Sequence, residues 1–218
     1  MTDPRQRNRR PADDRRDDQR QRIAAEAARL ISELGLRDYH QAKLRAAQRL
    51  GIQDERHLPR NSEIETALRE YQRLFGGEER LAYLKRLRET AVEALRFFHS
   101  FEPRLVGAVL DGTADQHSAV SLHLHSDDRD SLPQFLAEHG IPYDQIERQL
   151  RWSATETERF DAYRFSADDV PVDLTLLPRD ALRQAPLDRI DGKPMRRANL
   201  AAAQVLLHES DDPAQPAS

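Results

Sequence analysis

The run from Leu105 to His125, LVGAVLDGTADQHSAVSLHLH, constrains the fold of this chain more than any other stretch. An apolar segment, Leu105 to Leu110, leads into Gly112. Small and polar residues follow, and then Ala119, Ser121, His123 and His125 alternate with Val120, Leu122 and Leu124. Period-two alternation marks a half-buried strand, so the stretch predicts strand, glycine turn, strand. Successive side chains leave a strand on opposite faces, which gathers residues 119, 121, 123 and 125 on one of them. Any chemistry is expected on that face.

The flanking sequence sets the rest of the architecture. Four helices are predicted before the stretch. The first, Gln21 to Leu34, is carried by Ile23, Ala27, Leu30 and Ile31 and stopped by Gly35. The second is capped by Asp38, with Ala42, Ala46 and Leu50 inward. The third opens at Asn61 or Ser62 and ends at Gly76–Gly77, and the fourth spans about Glu78 to Ser100. After Pro103 the pattern changes. A helix is predicted over Asp130 to His139 and strands over Ile146–Trp152, Phe160–Phe165 and Val170–Leu177; a terminal helix follows, with Pro194 near its first turn. The fold class is therefore α+β: a helical N-terminal region (21–102), then a small mixed or antiparallel sheet flanked by helices (103–209). Residues 1–20 and 210–218 are too polar to offset the entropy of ordering and are expected to be disordered tails.

Composition narrows the function classes. A formal charge of −4 gives no global argument for nucleic-acid binding. Of the 34 basic residues only Lys43, Lys85 and Lys193 are lysine; such arginine excess suits phosphate contacts, and a GC-rich coding genome produces the same bias. With no cysteine, disulfide frameworks and Cys-based zinc sites are excluded. No apolar run approaches the roughly 20 residues of a membrane helix, and the N-terminal residues lack the apolar core of a signal peptide. A soluble cytoplasmic protein without membrane association is expected.

The central stretch resembles the polymerase β-like nucleotidyltransferase superfamily. In that superfamily an apolar strand enters G-S-x-x-x-G, S-D-x-D follows on the next strand, and a third carboxylate sits on a later strand. Gly107-Ala108 stands for the G-S here, Gly112 for the second glycine, Ser118 for the serine before the acidic pair, and Asp173 for the third carboxylate. The helical region, including RDYHQAKLRAAQRLG, also resembles an uncharacterised bacterial group of nucleotidyltransferase-like proteins. The resemblance implies a triphosphate cradled at Gly107, Gly112, Thr113 and Ser118, with Ser121 beside it. Arg104, Lys193, Arg196 and Arg197 are the cations that could assist.

The acidic pair falls on Ala119 and Ser121. In the superfamily those two carboxylates hold two magnesium ions, one activating the attacking hydroxyl and one neutralising the triphosphate. Magnesium needs hard anionic oxygen. Ala119 supplies none and Ser121 a neutral hydroxyl, leaving Asp173 as the surviving catalytic carboxylate. Loss of one electrostatic group commonly lowers rate by about 10²–10³, so two-metal transfer is expected to be lost.

His123, His125 and Asp173 form an alternative set for another divalent metal, since neutral imidazole suits zinc, manganese or iron. Histidines at this spacing are more commonly surface or partly buried strand residues whose ring N–H groups are simply satisfied. Asp111 and Asp115 can shape the turn, and Trp152, Tyr163 and Phe165 can fill the core. Three functions stay open: an impaired nucleotidyltransferase-fold protein (a pseudoenzyme) binding a nucleoside triphosphate or RNA or acting as a regulatory module; an active metal-dependent transferase with other ligands; or a helical module binding a protein partner. The oligomeric state is not legible.

Overall fold

The computed structural model describes residues 11–211 except Arg37, Gln53 and Ala154. The chain divides into two compact units, Met1–Gly77 and Glu78–Ser218. In the first, α1 (Pro11–Leu34), α2 (Tyr39–Arg49) and α3 (Asn61–Phe75) enclose a core of Ile23, Ala27, Leu30, Ala42, Ala46, Ile64 and Leu68. Alanine at three of these positions, with Ala24, Ala28 and Ala47, keeps side-chain bulk between the helices low. Asp38 caps α2 as predicted, its carboxylate accepting from the amides of His40 and Gln41.

Two helix starts differ from the sequence reading. The first helix begins at Pro11, so residues 11–20 are helical rather than a loose tail; residues 1–10 lie outside the described residues. Proline at a first helical position is preorganised for it, and the segment is too polar to announce itself by periodicity. The third helix is capped at Arg60, whose amide donates to Glu63 Oε2 at 2.6 Å, rather than by Asn61 or Ser62.

The second unit opens with α4 (Gly77–Phe97), continues through β1 (Arg104–Val106), α5 (Ala108–Asp111), β2 (Val120–His125), α6 (Ser131–Glu138), β3 (Asp144–Arg151), β4 (Thr157–Ala167) and β5 (Val170–Leu177), and closes with α7 (Leu200–Asp211). The sheet order is β1-β2-β5-β4-β3. Only β2 and β5 run parallel; the other three pairings are antiparallel. The α+β class is as read from the sequence. The unit boundary is not: it falls at Gly77–Glu78, because α4 packs Leu84, Leu87, Ala91 and Leu95 into the same core as Leu105, Leu122, Leu124, Val172 and Leu174. Each such fully buried leucine contributes on the order of 1.5–3 kcal/mol.

Two further elements depart from expectation. The apolar run 105–110 is strand only to Val106 and then turns into α5, since a short apolar run fits strand and helix alike. Gly107 makes the change, with φ 74° and ψ −154°, a conformation open essentially to glycine alone. The terminal helix starts at Leu200; Pro194 lies upstream, bridged to Leu187. The C-terminal residues 212–218 lie outside the described residues. Among the described residues no helix is long and apolar enough to cross a membrane.

Candidate functional site

The register of β2, β5, β4 and β3 places residues far apart in sequence side by side. Ser121 lies opposite Asp173, and His123 opposite Thr175, across the parallel pair. Arg164 of β4 lies opposite Asp173 on the other side. Residues directly opposite one another share a face, so Ser121, His123, His125, Asp173, Thr175 and Arg164 all belong to the face opposite the main core. The sequence reading gathered the first three and Asp173 there. It did not find the arginines.

At β2 that face is covered by the turn over residues 179–182. Leu177 and Phe160, on the face itself, pack with Ala181 of that turn into a second small core, joined by Leu150 and Trp152. Arg197 fixes the cover by donating to the carbonyl oxygens of Ala181 (2.6 Å) and Leu182 (3.1 Å). His123 and His125 are consequently 2% and 0% exposed. Burial pushes His123 down to about 3, helped by His125, Arg148 and Arg197. Burial likewise lowers His125 to about 4, against a hydrogen bond between its Nδ1 and the carbonyl of Glu102 at 2.9 Å. Both imidazoles are neutral near pH 7, and His123 Nδ1 and His125 Nε2 are buried without a hydrogen-bond partner.

Asp173 is buried at the centre of this face, and two guanidinium groups hold it. Arg148 Nη2 donates to Asp173 Oδ2 at 2.5 Å and Arg164 Nε to the same oxygen at 3.3 Å. The Asp173 side chain is 8% exposed, Arg148 27% and Arg164 52%. Arg148, Arg164 and Asp173 together carry a formal charge of +1, with Asp144 across from Arg164 on the same face, where the sequence resemblance implies three carboxylates. Arg148 carried one sequence signal: on β3 it shares the half-buried face with Ile146 and Leu150. Arg164 carried none, because its role depends on the β4–β5 register.

The Gly107–Ser118 segment is folded on itself. The amides of Asp111, Gly112 and Thr113 donate to Gly107 and Ala108 carbonyls. Asp115 Oδ1 accepts from the His117 amide and the Ser118 hydroxyl, and Ser118 Oγ accepts from the Asp115 amide. Asp115 therefore shapes the turn. Arg80, which the sequence did not single out, donates from α4 to the carbonyls of Gly112 (3.2 Å) and Ala114 (3.3 Å). Of the cations expected to assist, Arg196 does reach this segment, pairing with Asp111 at 2.9 Å. Lys193 pairs within its own turn, with Asp191 at 3.8 Å. Arg104 donates to the carbonyls of Glu102 and Pro103.

For a metal, the arrangement offers His123, His125 and Asp173 on one face. Among the described residues no group of three or more His, Asp or Glu side chains is gathered so as to hold an ion. Comparisons with family models, curated proteins and solved structures gave no match.

Proposed function

We propose that this protein is a nucleotidyltransferase-like module that binds a phosphate-bearing ligand, a nucleotide or RNA, without two-metal transfer chemistry. The observation that carries the reading is the pairing of Asp173 with both Arg148 and Arg164. A carboxylate that ligates magnesium must present its lone pairs to the ion. Here Oδ2 faces two guanidinium groups, Ala119 offers no oxygen, and Ser121 offers a neutral one. This donor set does not fit a magnesium pair.

The two guanidinium groups favour an anion directly. Guanidinium N–H groups match phosphate oxygens in bidentate geometry, and charge-assisted hydrogen bonds of this kind are about twice as strong as neutral ones. Arg164, half exposed, and Arg148 keep donors beyond those on Asp173. Ser121 adds a hydroxyl at the adjacent strand position. The amides of the Gly107–Ser118 segment that already donate internally contribute little further; side chains carry the recognition.

A second reading rests on a different observation. In the helical unit Leu34, Leu74 and Phe75 are 54%, 58% and 69% exposed. The ends of α1 and α3 that carry them are linked by Tyr71 Oη donating to Glu33. Large apolar residues grouped on a surface mark interaction sites, which favours a protein partner for that unit.

The test is an incorporation assay with labelled ATP, GTP, CTP and UTP in magnesium or manganese. The expected result is no transferred product above a protein-free control. Metal-dependent product that disappears in Asp173→Asn would establish an active transferase instead.

A further inference from the structure

The sheet has two edges, β1 and β3. The β1 edge is closed, since Leu105 and Ala198 exchange both backbone hydrogen bonds. The β3 edge differs. It is eight residues long and pairs on one side with β4. Among the described residues its other side is met only at Arg151, whose carbonyl accepts from the Leu187 amide at 2.6 Å. Asp144 to Leu150 therefore present a row of backbone groups to solvent, the template on which a further strand adds.

We infer that this edge pairs antiparallel with β3 of a second copy, about a two-fold axis through Ile146. The argument is charge and register. An axis normal to the sheet keeps each residue on its own face, so allowed registers centre on a residue. Centred on Ile146, Asp144 lies opposite Arg148 of the second copy, twice by symmetry. Gln145 lies opposite Glu147, also twice, and the two Ile146 side chains meet. Centring on Glu147 or Arg148 sets like charges directly opposite, which is destabilising. Centring on Gln149 pairs Glu147 with Arg151, but Leu187 already occupies that position on the edge. Of these registers, the one centred on Ile146 sets opposite charges across from each other with no like charges opposite, and its paired span, 144–148, ends before the position that Leu187 occupies.

The pairing reaches the platform. Asp144 shares a face with Arg164, its cross-strand neighbour, and with Arg148. The second copy thus brings a carboxylate beside the guanidinium that holds Asp173. The inference does not depend on what the platform binds.

The chain has no cysteine, so a single introduced thiol reports one position without background. Opposite residues in antiparallel strands lie about 4.5–5.5 Å apart at Cα, within disulfide reach. Ile146→Cys in the full chain should therefore oxidise to a covalent dimer. Gln149→Cys, about 20 Å from its own copy at 3.4 Å per residue in this register, should stay monomeric. Sedimentation equilibrium should show the wild-type mass rising from 25.1 kDa toward twice that value with concentration. Asp144→Lys should weaken the association about tenfold by setting like charges opposite. A chain monomeric at every concentration overturns the inference. So does cross-linking at Gln149→Cys equal to that at Ile146→Cys, or a dimer indifferent to Asp144→Lys.

Discussion

Arg148 reaches from β3 past the intervening β4 to place Nη2 2.5 Å from Asp173 Oδ2 on β5. A carboxylate 8% exposed is thereby anchored by a strand that is not its neighbour, with Arg164 of the adjacent strand closing on the same oxygen. The contact ties three strands together through side chains as well as backbone.

Removing the carboxylate should therefore register as lost stability. Truncating one member of a fully buried pair costs about 3–5 kcal/mol. Both arginines retain access to water, which screens the interaction, so Asp173→Asn should lower urea-unfolding stability by about 1–2 kcal/mol. Arg148→Ala should be more damaging than Arg164→Ala, because Arg148 is less exposed and closer to Oδ2. Equal stability of Asp173→Asn and wild type would contradict this role.

The buried histidines make stability fall on acidification. A folded-state value of about 3 for His123, against 6.5 in the unfolded chain, means the unfolded state takes up protons first. Stability is fully present above the unfolded value and declines as pH drops below about 6.5, continuing toward the folded values near 3 and 4. Between pH 7 and pH 5 His123 alone should account for a loss of about 2 kcal/mol. Chemical denaturation at several pH values checks this, and His123→Leu should flatten the profile over that interval.

Gly107 tests the local geometry of the strand-to-helix change. Its backbone, φ 74° and ψ −154°, excludes a side chain on conformational grounds, although an added Cβ meets nothing within 4 Å. Gly107→Ala should cost about 1–3 kcal/mol from backbone strain alone. At Gly112, φ 74° and ψ 11°, alanine adopts the left-handed helical region, and a Cβ finds Arg88 Nη2 at an ordinary 3.6 Å. Gly112→Ala should cost about 1–2 kcal/mol. Thermal melts of the two variants give the comparison.

Legibility in the sequence followed the range of the interactions. The strand Val170–Leu177 was found to the residue, because VPVDLTLL alternates cleanly and is bounded by Asp169 and Pro178. Asp38 as a cap was equally local. Residues 11–20 of α1 were missed because polar helix carries no hydrophobic period. The burial of His123 and His125 was not legible, because alternation reports one apolar face and cannot show that the turn over residues 179–182 covers the other. At the platform, Asp173 beside the strand of Ser121 is what the resemblance implied, and the register sets the two opposite. The arginines did not, since Arg148, Arg164 and Asp173 meet only once the register of three strands is set.

On the proposed function, the guanidinium groups at Asp173 attract anions without a metal. Titration of ATP into the protein by calorimetry, once in EDTA and once in magnesium, tests it most directly. The account expects saturable binding in both, with Kd agreeing within about twofold and weakening about tenfold or more in Arg164→Ala, the effect of losing a charge-assisted hydrogen bond. Heat that appears only with magnesium, and vanishes in Asp173→Asn while Arg164→Ala still binds, would contradict it.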